Sequence, residues 1–133
     1  MRRLLLLALV VAGLLAPAGA ASQRTGFAFG RTGGNIRPFQ VVITTDGHVR
    51  VSGAAATGRV QLTRLQLGDL NRIAATGSFG TLPGMTNCAG TLPDVATTFI
   101  RVGPRTVQVH GDCVAAYRRL WRALANAVRL TNV

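Results

Sequence analysis

The two cysteines of the chain, Cys88 and Cys113, restrict its fold more than any other feature of the sequence. They enclose two alternating segments, Thr97 to Val102 and Arg105 to His110, which meet at a Gly-Pro pair and predict a β-hairpin. If the cysteines bond to each other, the stretch before this hairpin is tied to the segment that follows it. Whether they do so depends on the compartment in which the protein folds.

The N-terminal residues have the layout of a secretory signal peptide. Met1 is followed by two arginines, by twelve apolar residues from Leu4 to Leu15, and by an Ala-Pro-Ala-Gly-Ala ending. The apolar run is shorter than the about 20 residues that a membrane-spanning helix needs. We therefore expect residues 1–20 to be a signal peptide, with cleavage after Ala20 or Ala21. Residues 21–133 are then expected to form one secreted domain without a transmembrane segment.

Three interpretations of the cysteine pair have to be weighed. An even number of cysteines in an exported chain favours a disulfide, here between Cys88 and Cys113. A redox pair usually has a Cys-x-x-Cys motif, and these cysteines lie far apart in sequence. A metal site would have to add His110 and Asp112, which follow a strand and do not readily converge on one ion. The disulfide is the favoured interpretation, and we expect no metal and no cofactor.

Residues 39–51 predict another hairpin, nearer the N-terminus. Apolar side chains alternate on both of its arms. A three-residue loop ending at Gly47 pairs Ile43 with Val49 and puts all the apolar side chains on one face, whereas a two-residue loop would divide them between two faces. Thr25 to Phe29 also alternates and predicts a strand before this hairpin.

Two helices are predicted, with α+β as the fold class. A short middle helix runs from Asp69 to Thr76, and residues 60–67 are expected to be a short strand or an irregular lead-in to it. A long C-terminal helix runs from Cys113 to Leu130 with Asp112 as its N-cap. The apolar stripe of this helix consists of Val114, Tyr117, Leu120, Trp121, Leu124 and Val128. We expect an antiparallel sheet of about four to five strands, with both helices on one face.

The chain is strongly basic. It has fifteen arginines, no lysine and four aspartates, for a formal net charge of +11, which becomes +9 once Arg2 and Arg3 leave with the signal peptide. Such a charge attracts anionic polymers and surfaces. Helical spacing puts Arg118, Arg122 and Arg129 on one face, away from the apolar stripe, so we expect these three to contact an anionic surface. Nucleic acid is disfavoured as a partner, because aromatic side chains that could stack on bases are few.

No catalytic set of residues can be recognised in the sequence. A nucleophile needs a base and an orienting group within reach, but His48 lies at a hairpin tip and His110 at a strand end. Ser78 is not part of a Gly-x-Ser-x-Gly motif, and Asp94 is the one aspartate without a structural explanation. We therefore expect a protein that is not an enzyme.

The order of these elements resembles that of small exported bacterial α+β domains. The resemblance rests on the glycine-bearing segment 26–34, on the pattern LGDL at 67–70 followed by FGTLP at 79–83, on the hairpin TTFIRVGPRTVQVHG and on the closing helix. The outline is similar to that of the emfourin-type inhibitors of thermolysin-like metalloproteases, and it covers nearly the whole mature chain. Its motifs are generic, and the cysteine pair, the signal peptide and the basic charge depart from it. No functional residue is therefore carried over.

Two functions remain as expectations. The first is a small secreted, non-catalytic binding module of the protease-inhibitor type, which holds an extracellular or envelope protein through a loop or a sheet edge. The alternative is a basic surface-associated protein that binds anionic cell-envelope polymers through Arg118, Arg122 and Arg129. Ionic strength separates the two, because salt weakens charge-driven binding far more than it weakens a packed protein interface.

Overall fold

The computed structural model describes residues 25–131, which form an α+β fold. The predicted signal peptide, residues 1–20, and its cleavage site lie outside the described residues. Within residues 25–131, no helix has the length and apolar character that crossing a membrane requires.

Within residues 25–131, eight strands, two α-helices and one short 3-10 helix follow each other. A six-stranded sheet has the order β3-β2-β1-β6-β7-β5, and β4 pairs separately with β8. The elements are β1 (Thr25–Thr32), β2 (Phe39–Thr44), β3 (Val49–Gly53), β4 (Ala56–Thr57), α1 (Arg64–Thr76), the 3-10 helix (Phe79–Thr81), β5 (Met85–Asn87), β6 (Thr97–Val102), β7 (Arg105–His110), α2 (Ala115–Val128) and β8 (Leu130–Thr131).

The hairpin of β2 and β3 has the predicted register. Ile43 lies opposite Val49, and the hydrogen bond from the Thr44 N–H to the His48 carbonyl oxygen (2.9 Å) closes the predicted three-residue loop. Gly47, the last residue of this loop, has a φ of +90°, in the left-handed region that glycine enters without steric cost. The hairpin is therefore determined by its alternating pattern and its turn residue.

The prediction of a purely antiparallel sheet of four to five strands is wrong. The hairpin of β6 and β7 is confirmed, but the sheet has six strands, and β5 pairs with β7 in the parallel direction. β5 has only three residues and no alternating pattern, so nothing local predicts it. Contacts beyond the strand hold it in place: Cys88, directly after it, is bonded to Cys113 and donates its N–H to the His110 carbonyl oxygen (2.8 Å).

The middle helix is longer than predicted. It begins at Arg64 rather than at Asp69. The prediction of a short strand or an irregular lead-in at residues 60–67 is therefore wrong for residues 64–67, which belong to the helix. Thr63 and Gln66 form a capping box: the Thr63 hydroxyl oxygen accepts from the Gln66 N–H (3.2 Å), and the Gln66 side-chain oxygen accepts from the Thr63 N–H (2.9 Å). This Thr-x-x-Gln spacing marks a helix start in sequence, but the apolar residues around it obscured the signal.

Both helices pack on the same face of the sheet, as predicted. α2 runs from Ala115 to Val128 rather than from Cys113 to Leu130, and Asp112 is not its N-cap: Val114 occupies that position, and no side chain caps the helix. The predicted stripe faces the sheet, with Trp121 half-buried at its border. The core between sheet and helices includes Phe27, Phe29, Val41, Ile43, Leu70, Ile100, Val107, Val109, Tyr117, Leu120, Leu124 and Val128.

Candidate functional site

The predicted disulfide is present, with the Cα atoms of Cys88 and Cys113 5.6 Å apart. It joins the segment after β5 to the segment before α2, and the Cys113 N–H lies 3.1 Å from the Cys88 sulfur. Because the two sulfur atoms are bonded to each other, neither is the free thiolate that a metal site would need. Across residues 25–131, no group of three or more His, Cys, Asp or Glu side chains could hold a metal ion.

The disulfide fixes the base of a loop formed by residues 88–96. Within the loop, the Val95 N–H donates to the Leu92 carbonyl oxygen (3.1 Å). Near its far end, the Asp94 carbonyl oxygen accepts from the N–H of Asn35, which lies in the loop between β1 and β2 (3.1 Å). The backbone of Asp94 thus joins two loops, a bond that any residue at this position could make, so the choice of aspartate has no structural explanation. Both loops lie at the same end of the sheet.

These two loops expose apolar side chains. Ile36 is 47% exposed, Leu92 64% and Val95 41%. Single exposed apolar residues are common on protein surfaces, but several on two joined loops are typical of a contact surface. We call Ile36, Leu92 and Val95 the loop surface. The loop surface was missed in the sequence, where its residues stand in Gly- and Pro-rich segments without periodicity.

A second surface lies on α2, where the structure places two of the three predicted arginines together. Arg118 and Arg122 line one pocket, and Arg119, which the sequence analysis did not select, lies beside them. We call Arg118, Arg119 and Arg122 the arginine turn. Arg129 is not part of it: eleven residues after Arg118, or about 16 Å along a helix axis, it ends α2 with a φ of +53° and packs against Gly58.

The pocket beside the arginine turn has a volume of about 280 Å³. Two aromatic side chains line it: the Trp121 ring stands edge-on to Phe29 at 5.3 Å between centroids and is nearly parallel to the Tyr117 ring at 6.4 Å. The Tyr117 hydroxyl donates to the Thr98 hydroxyl oxygen (3.0 Å). Burial raises the pKa of Tyr117 well above its ordinary value, so this hydroxyl stays neutral. We call this cavity the α2 pocket.

The charges around the α2 pocket are mostly positive. Arg118 pairs with Asp112 at 3.0 Å, but the Asp112 side chain is 69% exposed and that of Arg118 40%, and such solvent-accessible pairs contribute about 0–1 kcal/mol. Arg122 has no carboxylate partner among the described residues. The positive end of α2, which has no acidic residue in its first turn, adds to this potential. The pocket therefore favours an anion.

A third feature lies on the face of the sheet opposite α1 and α2. A cavity of about 280 Å³ is lined there by Ala28, Gln40, Phe99, Arg101 and Gln108, together with two threonines. The Nε atom of Arg101 is fully buried and has no hydrogen-bond partner among the described residues. We call this cavity the sheet cleft. The sequence did not single out Arg101, because one arginine in an alternating strand is an ordinary solvent-facing residue.

The residues considered for catalysis are not brought together. His48, in the β2–β3 loop, lies with its Nδ1 atom 3.4 Å from the side-chain oxygen of Gln61. His110 ends β7 at the opposite end of the sheet, next to Thr97 of β6. Asp46, beside His48, accepts a hydrogen bond from the Thr44 hydroxyl, which lowers the pKa of Asp46. This aspartate therefore supports a turn and is not held as a base.

Comparison of the chain with protein-family models, with curated proteins and with solved structures finds no match. The two loops, the arginine turn and the sheet cleft are therefore interpreted from their own geometry and chemistry.

Proposed function

We propose that the protein is a secreted, non-catalytic binding module that holds an extracellular or envelope protein through the loop surface. The observation that carries this proposal is the loop of residues 88–96, which a disulfide fixes at its base and a backbone hydrogen bond fixes near its far end. A loop held in this way loses little conformational freedom on binding, so more of its contact energy appears as affinity.

The chemistry of the loop surface fits a packed protein interface. Its exposed side chains are aliphatic, and aliphatic side chains gain free energy when a partner removes them from water. The resemblance to emfourin-type inhibitors points to secreted metalloproteases as the first partners to test. The proposal assigns no catalytic role to any residue.

The test compares two variants that remove exposed aliphatic side chains from different places. Leu92→Ser with Val95→Ser changes the loop surface, and Leu65→Ser changes a leucine that is 79% exposed on α1. We expect the mature protein to bind or inhibit at least one protease in a panel of thermolysin-like and other secreted enzymes. The loop variant should bind at least about ten-fold more weakly, and Leu65→Ser should bind like the parent. Equal binding by all three proteins would refute the loop surface as the contact.

A second function is favoured by the arginine turn. Arg118, Arg119 and Arg122 project from one turn of α2 beside the α2 pocket, and this cluster suits an anionic cell-envelope polymer. In this alternative, charge rather than shape provides the affinity, and binding falls steeply as the salt concentration rises.

Two triple variants with the same net charge separate this alternative from diffuse attraction. One replaces the arginine turn by glutamine, and the other replaces three exposed arginines elsewhere, Arg64, Arg72 and Arg129. Binding to an anionic polymer, measured at two salt concentrations, should be lost only in the first variant. An equal loss in both would mean that net charge alone attracts the polymer. Protease binding through the loop surface should survive in both.

A further inference from the structure

The sheet cleft contains a charged group that the protein itself leaves without an acceptor. The Nε–H of Arg101 is buried and donates to no atom of the described residues. A buried donor without an acceptor loses its hydrogen bonds to water and gains none in return, so such groups are rare in folded proteins. Arg101 therefore needs an explanation other than the stability of this chain.

The residues around Arg101 offer it no negative charge. The six strands of the sheet contain no aspartate or glutamate, so no residue of these strands offers Arg101 a carboxylate. The aspartates of residues 25–131 lie elsewhere: in the β2–β3 loop, in α1, in the loop of residues 88–96 and before α2. An acceptor for Arg101 has to come from another molecule.

The other walls of the cleft indicate which kind of molecule carries that acceptor. Phe99 is half-buried, and its ring lies over Gly30: a Cβ atom added to Gly30 would come within 3.0 Å of the ring. Phe99 therefore provides an apolar wall of the cleft. The exposed amides of Gln40 and Gln108 can donate to and accept from a peptide backbone. The Nε atom of Arg101 is enclosed, but its Nη atoms are not among the buried atoms and bond to no described residue, so they face the cleft. The two Nη–H groups form a fork that matches the two oxygens of a carboxylate.

We propose that the sheet cleft binds an acidic side chain from a segment of the protein partner, with the carboxylate paired to the fork of Arg101. The volume of about 280 Å³ is slightly below the about 300–1,000 Å³ of pockets for drug-sized ligands, and it suits one side chain with its backbone. Thr32 also lines the cleft, and β1 leads from it into the loop that carries Ile36. One protein partner can therefore contact both the sheet cleft and the loop surface. This inference rests on the proposed protein partner.

The first test uses a small probe and needs no partner. The Nε–H signal of Arg101 is followed by NMR while N-acetyl-aspartate methylamide is added, with N-acetyl-asparagine methylamide as the neutral control. We expect a saturable shift with the acidic probe alone. Arg101→Lys, which keeps the charge but loses the fork, should bind about ten-fold more weakly by the remaining signals of the cleft. Arg72→Gln, which removes an exposed charge on α1, should bind like the parent.

The second test asks whether Arg101 has a purely structural role. Arg101→Met keeps an aliphatic stem and removes the unpaired donor, so it should raise the melting temperature by about 2–4 °C while abolishing the response to the probe. Arg72→Met should change neither the melting temperature nor the response to the probe. A lower melting temperature for Arg101→Met would show that Arg101 stabilises the fold, and it would overturn the proposal.

Other occupants of the cleft give different results. If inorganic phosphate shifts the Nε–H signal as strongly as the acidic probe, the cleft is a general anion site and the proposal is wrong. If the signal shifts with protein concentration alone, the occupant is a second copy of this chain, which also overturns it. If the probe binds and a protease binds Leu92→Ser with Val95→Ser as well as the parent, the cleft stays assigned and the loop surface is refuted as the contact, so the two proposals fail separately.

Discussion

The two helices pack on the same face of the sheet, but they begin in opposite ways. α1 begins at a capping box formed by Thr63 and Gln66, two residues within one turn of each other. α2 begins without any side-chain cap, directly after Cys113, which is bonded to a cysteine 25 residues earlier in the chain. The start of α1 is determined locally, whereas the start of α2 depends on a covalent link to a distant segment.

This difference matters because the proposed contact surfaces lie near the start of α2. The loop surface follows Cys88 in the chain, and the arginine turn begins five residues after Cys113. A change at the start of α1 should therefore affect stability alone. A change at the start of α2 should affect stability, the loop and the arginine turn together.

The largest effect is expected from removal of the disulfide. For a link between residues 25 apart, loop-closure entropy predicts that Cys88→Ala with Cys113→Ala lowers the free energy of unfolding by about 3.5 kcal/mol. Urea unfolding followed by the fluorescence of Trp121, the only tryptophan of the chain, measures this loss. Hydrogen exchange should become faster in the first turn of α2 and stay unchanged in the first turn of α1. Equal changes in both helices would contradict the comparison.

Replacement of Trp121 should have the next largest effect. Its ring contacts Phe29 and Phe39 at 5.3 and 6.3 Å between centroids, so Trp121→Ala leaves a gap between α2 and the sheet. Because Trp121 is half-buried, we expect the lower end of the usual range, about 3 kcal/mol, in thermal or urea unfolding. Trp121→Phe should retain most of the stability. A loss below about 1 kcal/mol in Trp121→Ala would make this residue a surface platform rather than a packing residue.

The pH dependence of stability should report the burial of Tyr117. Burial raises its pKa above the value of about 10 that an exposed tyrosine has, so the unfolded chain loses the phenolic proton first as the pH rises. The contribution of Tyr117 to the free energy of unfolding is complete below pH 10. Above pH 10 this contribution falls by roughly 1.4 kcal/mol per pH unit. Tyr117 is the only tyrosine of the chain, so Tyr117→Phe should remove this slope between pH 10 and 11. A slope that persists in the variant would have to come from another group.

The smallest effect is expected at the start of α1. Thr63→Ala removes the side chain that accepts from the Gln66 N–H, at a cost of about 1 kcal/mol. Thr63→Ser should restore most of it, because serine keeps the hydroxyl. Binding through the loop surface and the sheet cleft should be unchanged in both variants. Weaker binding in Thr63→Ala would show that α1 and the contact surfaces are coupled.

Much of the fold could be predicted because its signals are local. The register of the β2–β3 hairpin follows from the alternation of apolar residues and from Gly47, and the stripe of α2 follows from helical spacing. β5 could not be predicted in this way. Its three residues have no pattern of their own, and they pair in parallel with β7 next to the cysteine that ties them to the start of α2.

The candidate sites were less accessible to prediction than the fold. Helical spacing brought Arg118 and Arg122 together correctly, but it could not show that Arg129 adopts a left-handed conformation that ends the helix. Arg101 looked like any solvent-facing strand residue until β1 and β6 were paired and the fold buried its Nε atom. A site formed by residues from several strands leaves no periodic pattern in the sequence that could reveal it.

The sequence by itself determined the α+β class, the two hairpins, the apolar stripe of α2 and the pairing of Cys88 with Cys113. These depend on interactions between near neighbours in the chain or on a covalent bond between the only two cysteines. The tertiary structure alone decided the place of β5, the exposure of the loop surface and the unpaired state of Arg101. These depend on which distant strands lie side by side, because burial and hydrogen bonding are set by neighbours in space.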